Sequence, residues 1–461
     1  MEMSKVTIFL LITVNWLIEA RPKPIYFECP APEVIDPCSC REENVFSGIQ
    51  CEGVQSLNTI QRSLGNRFSL PIPWLHITNS NILDLPPGAF YNMSVSRLFI
   101  SGSNLRYVAE DAFVGLENLA MLVLQYDRLF CVPTTAWSPL GRLKTLSLAS
   151  NFILRVERSA FKGLPALETL ILTGNRISHI DKGAFPLTLK FLSLASNHLL
   201  KLNGSVENLP NLERLFLTDN DISSLDGELD GLTRLKMFDV SQNVIKMLGS
   251  DIFVDLLSLT NLDLGDNKLE SVGDSLQPLT NLTHLSLSNN YLTVLLENSF
   301  RNLTALQVLD LSGNRLTAID LSLRHLSNLR KLNLTRNRLV TLKYLELKWL
   351  HGLRVLDLSH NNLTVLELTG QDLGMLTVLK LAGNKIKSFS FSLDRMTELD
   401  ISFNDLKTFS SQDLGNKLGL RVLNLEGNPW TCNDHLTDTF RELTNHEVHV
   451  RGAPVCPLPA N

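Results

Sequence analysis

Between Cys51 and Cys432 this 461-residue chain carries a single cysteine, Cys131. A disulfide framework spread through the body is therefore excluded, and any bridges belong to the two ends. Long apolar runs are equally scarce. After Val6 to Ile18 no second stretch of roughly 18 apolar residues follows, so no membrane span is expected in the mature chain. Residues 454–461 also lack the hydrophobic tail of a lipid-anchor signal. An excess of one charge is missing too. A formal net charge of −5 and a pI near 6.1 point neither to nucleic acid nor to an acidic membrane surface. Catalytic signatures are absent: there is no Gly-rich phosphate loop, no HExxH, no GxSxG elbow and no carboxylate pair outside the repeat rhythm. His446-Glu447-Val448-His449 has the wrong spacing for two zinc ligands on a helical face, and its alternation with Val448 and Val450 suits a cap strand. The expectation is a non-enzyme with no catalytic residue, no metal and no cofactor.

What the chain has in abundance is one unit, LxLxxNxL, seen in Leu309-Asp-Leu-Ser-Gly-Asn-Arg-Leu316. Leucines at period 2 describe a short strand with one buried face. The asparagine sits where the backbone turns away, and its amide can satisfy groups that the turn leaves unpaired. Its position recurs at Ser80, Ser103, Asp127, Asn151, Asn175, Asn197, Asn220, Asn243, Asn267, Asn290, Asn314, Asn337, Asn361, Asn384, Asn404 and Asn428. That makes about 16 copies, 20 to 24 residues apart and mostly 23 or 24. One copy cannot bury its leucines alone, so neighbours must cover it and the ends need caps. The fold class expected is an α/β-type solenoid with a parallel sheet on its inner wall and disulfide-capped ends. Ser80, Ser103 and Asp127 lack the amide donors, so the N-terminal end of the ladder should be the weaker one. Ala89-Phe90, Ala112-Phe113, Ala136-Trp137, Ala160-Phe161 and Ala184-Phe185 put aromatics in the return segments, where they should stack as a convex spine.

The ends read differently. Residues 1–20, with Lys5 before the apolar run and Ala20 at its close, look like a secretory signal. Residues 21–70 form a cysteine-rich N-terminal cap, 71–427 the repeats and 428–461 a C-terminal cap. Cys29, Cys38, Cys40 and Cys51 suit bridges better than zinc, because Cys38-Ser-Cys40 lacks the usual ligand spacing. Four cysteines allow three pairings, and spacing does not choose among them.

Cysteine clusters around repeats of this length resemble the secreted or extracellular leucine-rich repeat family of the typical 24-residue type, over nearly the whole mature chain. That resemblance implies the horseshoe fold, with Cys29 paired to Cys40 and Cys38 to Cys51. Asn428-Pro429-Trp430-Thr431-Cys432 is similar to the opening of the C-terminal cap, which implies a Cys432 to Cys456 bridge. The full four-cysteine version is missing, as in the shorter cap of arthropod members. The resemblance also implies recognition, adhesion or immune function.

Function in a solenoid belongs to residues pointing off the inner strands. The early repeats place Trp74, Phe99, Met121, Val123, Ile171, Phe191, Phe216 and Met237 there, and the later ones Asp239, Asp263, Asp310, Asn333, Asp357 and Asp400. The Asp row reads as solvated. The apolar set reads either as a surface for an extracellular protein ligand or as side chains buried against one another along the strands. Six Asn-x-Ser/Thr acceptors, at Asn92, Asn203, Asn281, Asn302, Asn333 and Asn362, would each need exposure, and a glycan on Asn333 would shield the later inner wall. Arg324, Arg330, Lys331, Arg336, Arg338, Lys343, Lys348 and Arg354 form a linear basic stretch for a sulfated polysaccharide or, more simply, a solvated surface. Cys131 reads as a buried thiol or as the link to a disulfide-bonded partner. The function expected is a secreted protein-binding module, the alternatives being a non-catalytic scaffolding subunit of a secreted enzyme complex or a shed receptor ectodomain.

Overall fold

The computed structural model describes residues 27–453 apart from 44–45, 66, 69, 343, 369–372, 392–394 and 415–418. The expected signal and Cys456 fall outside these. The chain divides into two units, one comprising residues up to 152 with 161–167 and the other 153–160 with 168 onward.

In the first unit Cys38–Glu43 and Phe46–Glu52 pair antiparallel, and the Cys38–Cys51 disulfide joins residues directly opposite each other. A second bridge, Cys29–Cys40, ties the preceding segment to the same hairpin. The helix Leu57–Leu64, whose first turn is capped by the Ser56 hydroxyl accepting from the Asn58 N–H, buries Leu57, Ile60 and Leu64 over this end. Phe46–Glu52 then starts a parallel run through Leu75–Thr78, Arg97–Ser101, Met121–Gln125 and Thr145–Ser147. Phe90, Phe113 and Trp137 are fully buried in the return segments and stack with centroids 6.1 and 6.2 Å apart, the expected spine.

The second unit repeats the plan. Twelve strands from Thr169–Ile171 to Val422–Asn424 pair parallel and in register, and His449–Arg451 adds a last one. Each of the twelve places one leucine or phenylalanine inward between two residues of the open face, and the last strand has Val450 there. Among the described residues the return segments are mostly turns, with a single short helix at Tyr344–Leu347 and a 3-10 turn at Ser411–Leu414. The helix Asp434–Asn445, capped by the Asn433 side chain accepting from the Leu436 N–H, covers the end with Leu436, Thr439 and Leu443. His446 is its C-cap and His449 opens the cap strand, so the two histidines serve different elements. Cys432 is disulfide-bonded.

The ladder asparagines tie successive coils of the second unit together. In Asn220 the Nδ2 donates to the carbonyls of Leu194, Leu217 and Thr218, and Oδ1 accepts from the Leu199 N–H. The same pattern recurs with bonds near 3 Å at Asn243, Asn267, Asn290 and Asn314. The residue before each asparagine turns left-handed, as at Asn289 (φ 52°) and Gly313 (φ 65°). At Gly313 a Cβ would come within 2.0 Å of the Asn289 Oδ1, so a larger residue there would require that side-chain amide to move.

Candidate binding surface on the open face of the sheet

In the first unit, parallel register aligns His76, Phe99, Val123 and Ser147 in one row and Arg97, Met121 and Thr145 in the next. Row mates lie about 4.8 Å apart, close enough for large side chains to cover one another. Trp74 is buried, 5% exposed, with its ring lying flat on Gly48. A Cβ on Gly48 would come within 2.2 Å of that ring. His76 lies between the two aromatics, its ring tilted 4.6 Å from Trp74 and edge-on 4.2 Å from Phe99. Val123 is 6% exposed, whereas Phe99 and Met121 stay half-buried.

In the second unit Ile171 is 2% and Phe191 8% exposed, while Phe216 and Met237 are half-buried. Phe191 and Phe216 lie 5.3 Å apart, and the Arg214 guanidinium sits 5.8 Å from the Phe191 ring. The apolar set expected from the sequence therefore separates. Trp74, Val123, Ile171 and Phe191 are supports packed under their neighbours, and the reachable members are Phe99 and Met121 in one unit, Phe216 and Met237 in the other. The sequence reading passed over His76. It occupies the same place between Leu75 and Ile77 as Phe99 does in its own strand, but a search for apolar residues discards it.

The Asp row is more than solvated. Asp239, Asp263, Asp310, Asp357 and Asp400 each accept, through Oδ1, the backbone N–H two residues on, at 2.8 to 3.0 Å. These bonds close the turn that ends each strand. Asn333 does the same for Thr335 and donates to the Asp310 Oδ2 at 3.1 Å. Burial pushes the carboxyls of Asp239 and Asp263 above the ordinary range, and neighbouring carboxylates add to this: Asp263 beside Asp239, and Asp266 and Asp310 beside Asp263.

Among the glycan acceptors, Asn92, Asn281 and Asn302 are exposed, and Asn203, Asn333 and Asn362 are half-buried. Asn281 and Asn302 use their amides to bond the Leu257 and Gln277 carbonyls. Cys131 is a free, exposed thiol, which removes the buried reading. It follows the exposed Phe130, whose ring stacks 5.7 Å from Phe152. Among the described residues no group of acidic, histidine or cysteine side chains is arranged to hold a metal, and no helix is long and apolar enough to cross a membrane.

Comparison with known proteins agrees with this geometry. The leucine-rich repeat profile matches residues 72–129, 141–199, 187–245, 234–292, 280–339 and 327–386. Leucine-rich repeat-containing G-protein coupled receptor 5 of Xenopus tropicalis is 30% identical over 133 residues, which is 28% of this chain and only 14% of the receptor. A leucine-rich repeat protein of Leptospira interrogans superposes with a TM-score of 0.69 at 24% identity, covering 86% of this chain and 93% of the other. Toll, in the Drosophila Toll–Spatzle complex, superposes at 0.70 with 20% identity over 91% of this chain and 74% of its own. The LRIM1/APL1C complex gives 0.54 at 22% identity, over 82% of this chain and 60% of the other. Solenoid coils, ladder asparagines and profile coincide over most of the length, and the chain belongs to the leucine-rich repeat family.

Proposed function

We propose that this protein is a secreted, extracellular protein-binding module of the recognition or immune type. The observation that carries this is the first unit's open face, where the half-buried Phe99, backed by His76 and the pinned Trp74, replaces the hydrogen-bonded Asp row of later repeats. A rigid aromatic on a preformed wall is what a protein hot spot uses, since little side-chain entropy is lost on contact. The similar solved structures include a complex of Toll with Spatzle and one of LRIM1 with APL1C, which supports the reading.

Affinity capture from extracellular fluid, with Phe99→Asp and Phe216→Asp made separately, tests it. The native chain should retain a protein that the Phe99→Asp chain loses. Equal retention by folded Phe99→Asp removes that face from the reading. A second reading, a subunit of a covalent complex, is favoured by the exposed Cys131 beside the Phe130–Phe152 stack. In that case the captured protein should leave the column only under reducing conditions.

A further inference from the structure

The linear basic stretch does not survive folding as one surface. Arg324 pairs with Glu297, and the Lys348 ammonium sits 4.5 Å over Trp349. Arg330, Lys331 and Arg354 lie at the starts of the strands Lys331–Asn333 and Val355–Asp357. Arg336 and Arg338 lie past the other end, and Lys343 is outside the described residues.

A different basic surface forms from residues about one repeat apart. Just past the strand ends, the positions following the ladder asparagines stack: the Arg315 N–H bonds the Leu292 carbonyl, that of Arg338 the Leu316 carbonyl, that of Asn362 the Leu339 carbonyl and that of Lys385 the Leu363 carbonyl. Arg315, Arg338 and Lys385 therefore share a column with steps of about 4.8 Å, while Arg336 and Lys387 stand on either side of it. All five are exposed. From residue 289 to 388, the six residues straddling each ladder asparagine (289–294, 313–318, 336–341, 360–365 and 383–388) contain these five cations and no Asp or Glu. In the windows next along the chain acidic residues return, Asp266 and Glu270 on one side and Asp405 on the other. Arg315 is also held in place, with its guanidinium 4.1 Å from the Tyr291 ring centroid. In a chain of net charge −5, a stripe of cations without carboxylates on one flank is a local reversal of sign.

We infer that this flank binds a linear sulfated polysaccharide. The column repeats at a fixed step and the stripe presents three planar guanidinium groups, Arg315, Arg336 and Arg338, which match oxyanions bidentately. The choice of polysaccharide over nucleic acid rests on the extracellular reading above. Asn362, a glycan acceptor within the column, would place a branched chain across the same surface if modified.

The test is retention of the full chain on immobilised heparin across a salt gradient. Replacing Arg315, Arg336, Arg338 and Lys385 together by Gln should lower affinity about tenfold to a hundredfold near physiological salt and flatten the salt dependence. The control neutralises as many cations at the strand starts, Arg330, Lys331, Arg354 and Arg421 to Gln, and should elute as the native chain does. Unchanged retention of the first variant, or equal loss in both, overturns the assignment. Tighter retention on single-stranded DNA than on heparin at the same salt overturns the choice of polyanion. Secretion of the chain into culture medium, scored separately, tests the compartment without touching this surface.

Discussion

The Asp127 carboxylate accepts the Ser103 backbone N–H at 2.7 Å through Oδ1, while its buried Oδ2 has no hydrogen-bond partner among the described residues. Oδ1 also accepts from the Leu105 N–H at 3.1 Å, the bond that Asn151 Oδ1 makes to the Leu129 N–H one repeat later. Oδ2 therefore takes the place of an amide nitrogen, which in Asn151 donates to the carbonyls of Leu124, Leu148 and Ala149. An ionised oxygen has nothing to donate there.

Asp127→Asn should therefore stabilise the first unit. Burial holds the Asp127 carboxyl above its ordinary range, outweighing the backbone bonds from Leu105, Ser103 and Asn104 that favour the anion. A group raised in the folded state stabilises it below the unfolded value and loses that contribution as pH rises through the folded value. The gain from the amide should thus be small near pH 4 and reach about 1–3 kcal/mol in mildly alkaline solution, read by urea melts at both pH values. A gain independent of pH would show that Oδ2 is satisfied in another way.

Removing a ladder amide should cost the opposite. Asn314 donates to the Leu287, Leu311 and Ser312 carbonyls and accepts from the Leu292 N–H, all inside the coil. Asn314→Ala leaves these groups unpaired and should destabilise by about 2–4 kcal/mol. Because each coil touches only its neighbours, hydrogen exchange should accelerate first at Leu292 and Leu316 and least near the caps. Uniform acceleration along the second unit would argue against a local role.

On the open face of the second unit, Asp239 and Asp263 should take up protons above the usual carboxylate range as pH falls, since burial disfavours ionisation and nearby carboxylates add to it, Asp263 for Asp239 and Asp266 with Asp310 for Asp263. The sign is the same as for Asp127: stability linked to these groups is lost as pH rises through their folded values. Asp239→Asn with Asp263→Asn should raise the melting temperature at pH 8 and leave it unchanged at pH 4. Carbonyl chemical shifts followed through the titration would locate the two transitions directly.

The coil itself was legible in the chain because its determinants are local. Leu309, Leu311 and Asn314 lie within six residues, so the strand, the turn and the buried amide can be read together. The cap pairings followed from resemblance and the structure agrees with them at Cys29–Cys40 and Cys38–Cys51. The spine of Phe90, Phe113 and Trp137 was readable for the same reason, as each aromatic follows an alanine at a repeated offset.

Surfaces were not legible in that way. Whether Val123 or Phe99 meets solvent depends on side chains some 23 residues away in the adjoining strand, and Trp74 is withdrawn because Gly48, 26 positions earlier, gives its ring a floor. The basic stretch misled for the same reason: Arg330 and Arg336 are six apart in sequence but stand at opposite ends of one strand, whereas Arg315 and Lys385 share a column. Spacing along the chain determined that coils form and what fills them. Only the stacking of coils decided which side chains stand next to one another, because lateral contact links each residue to partners a full turn away.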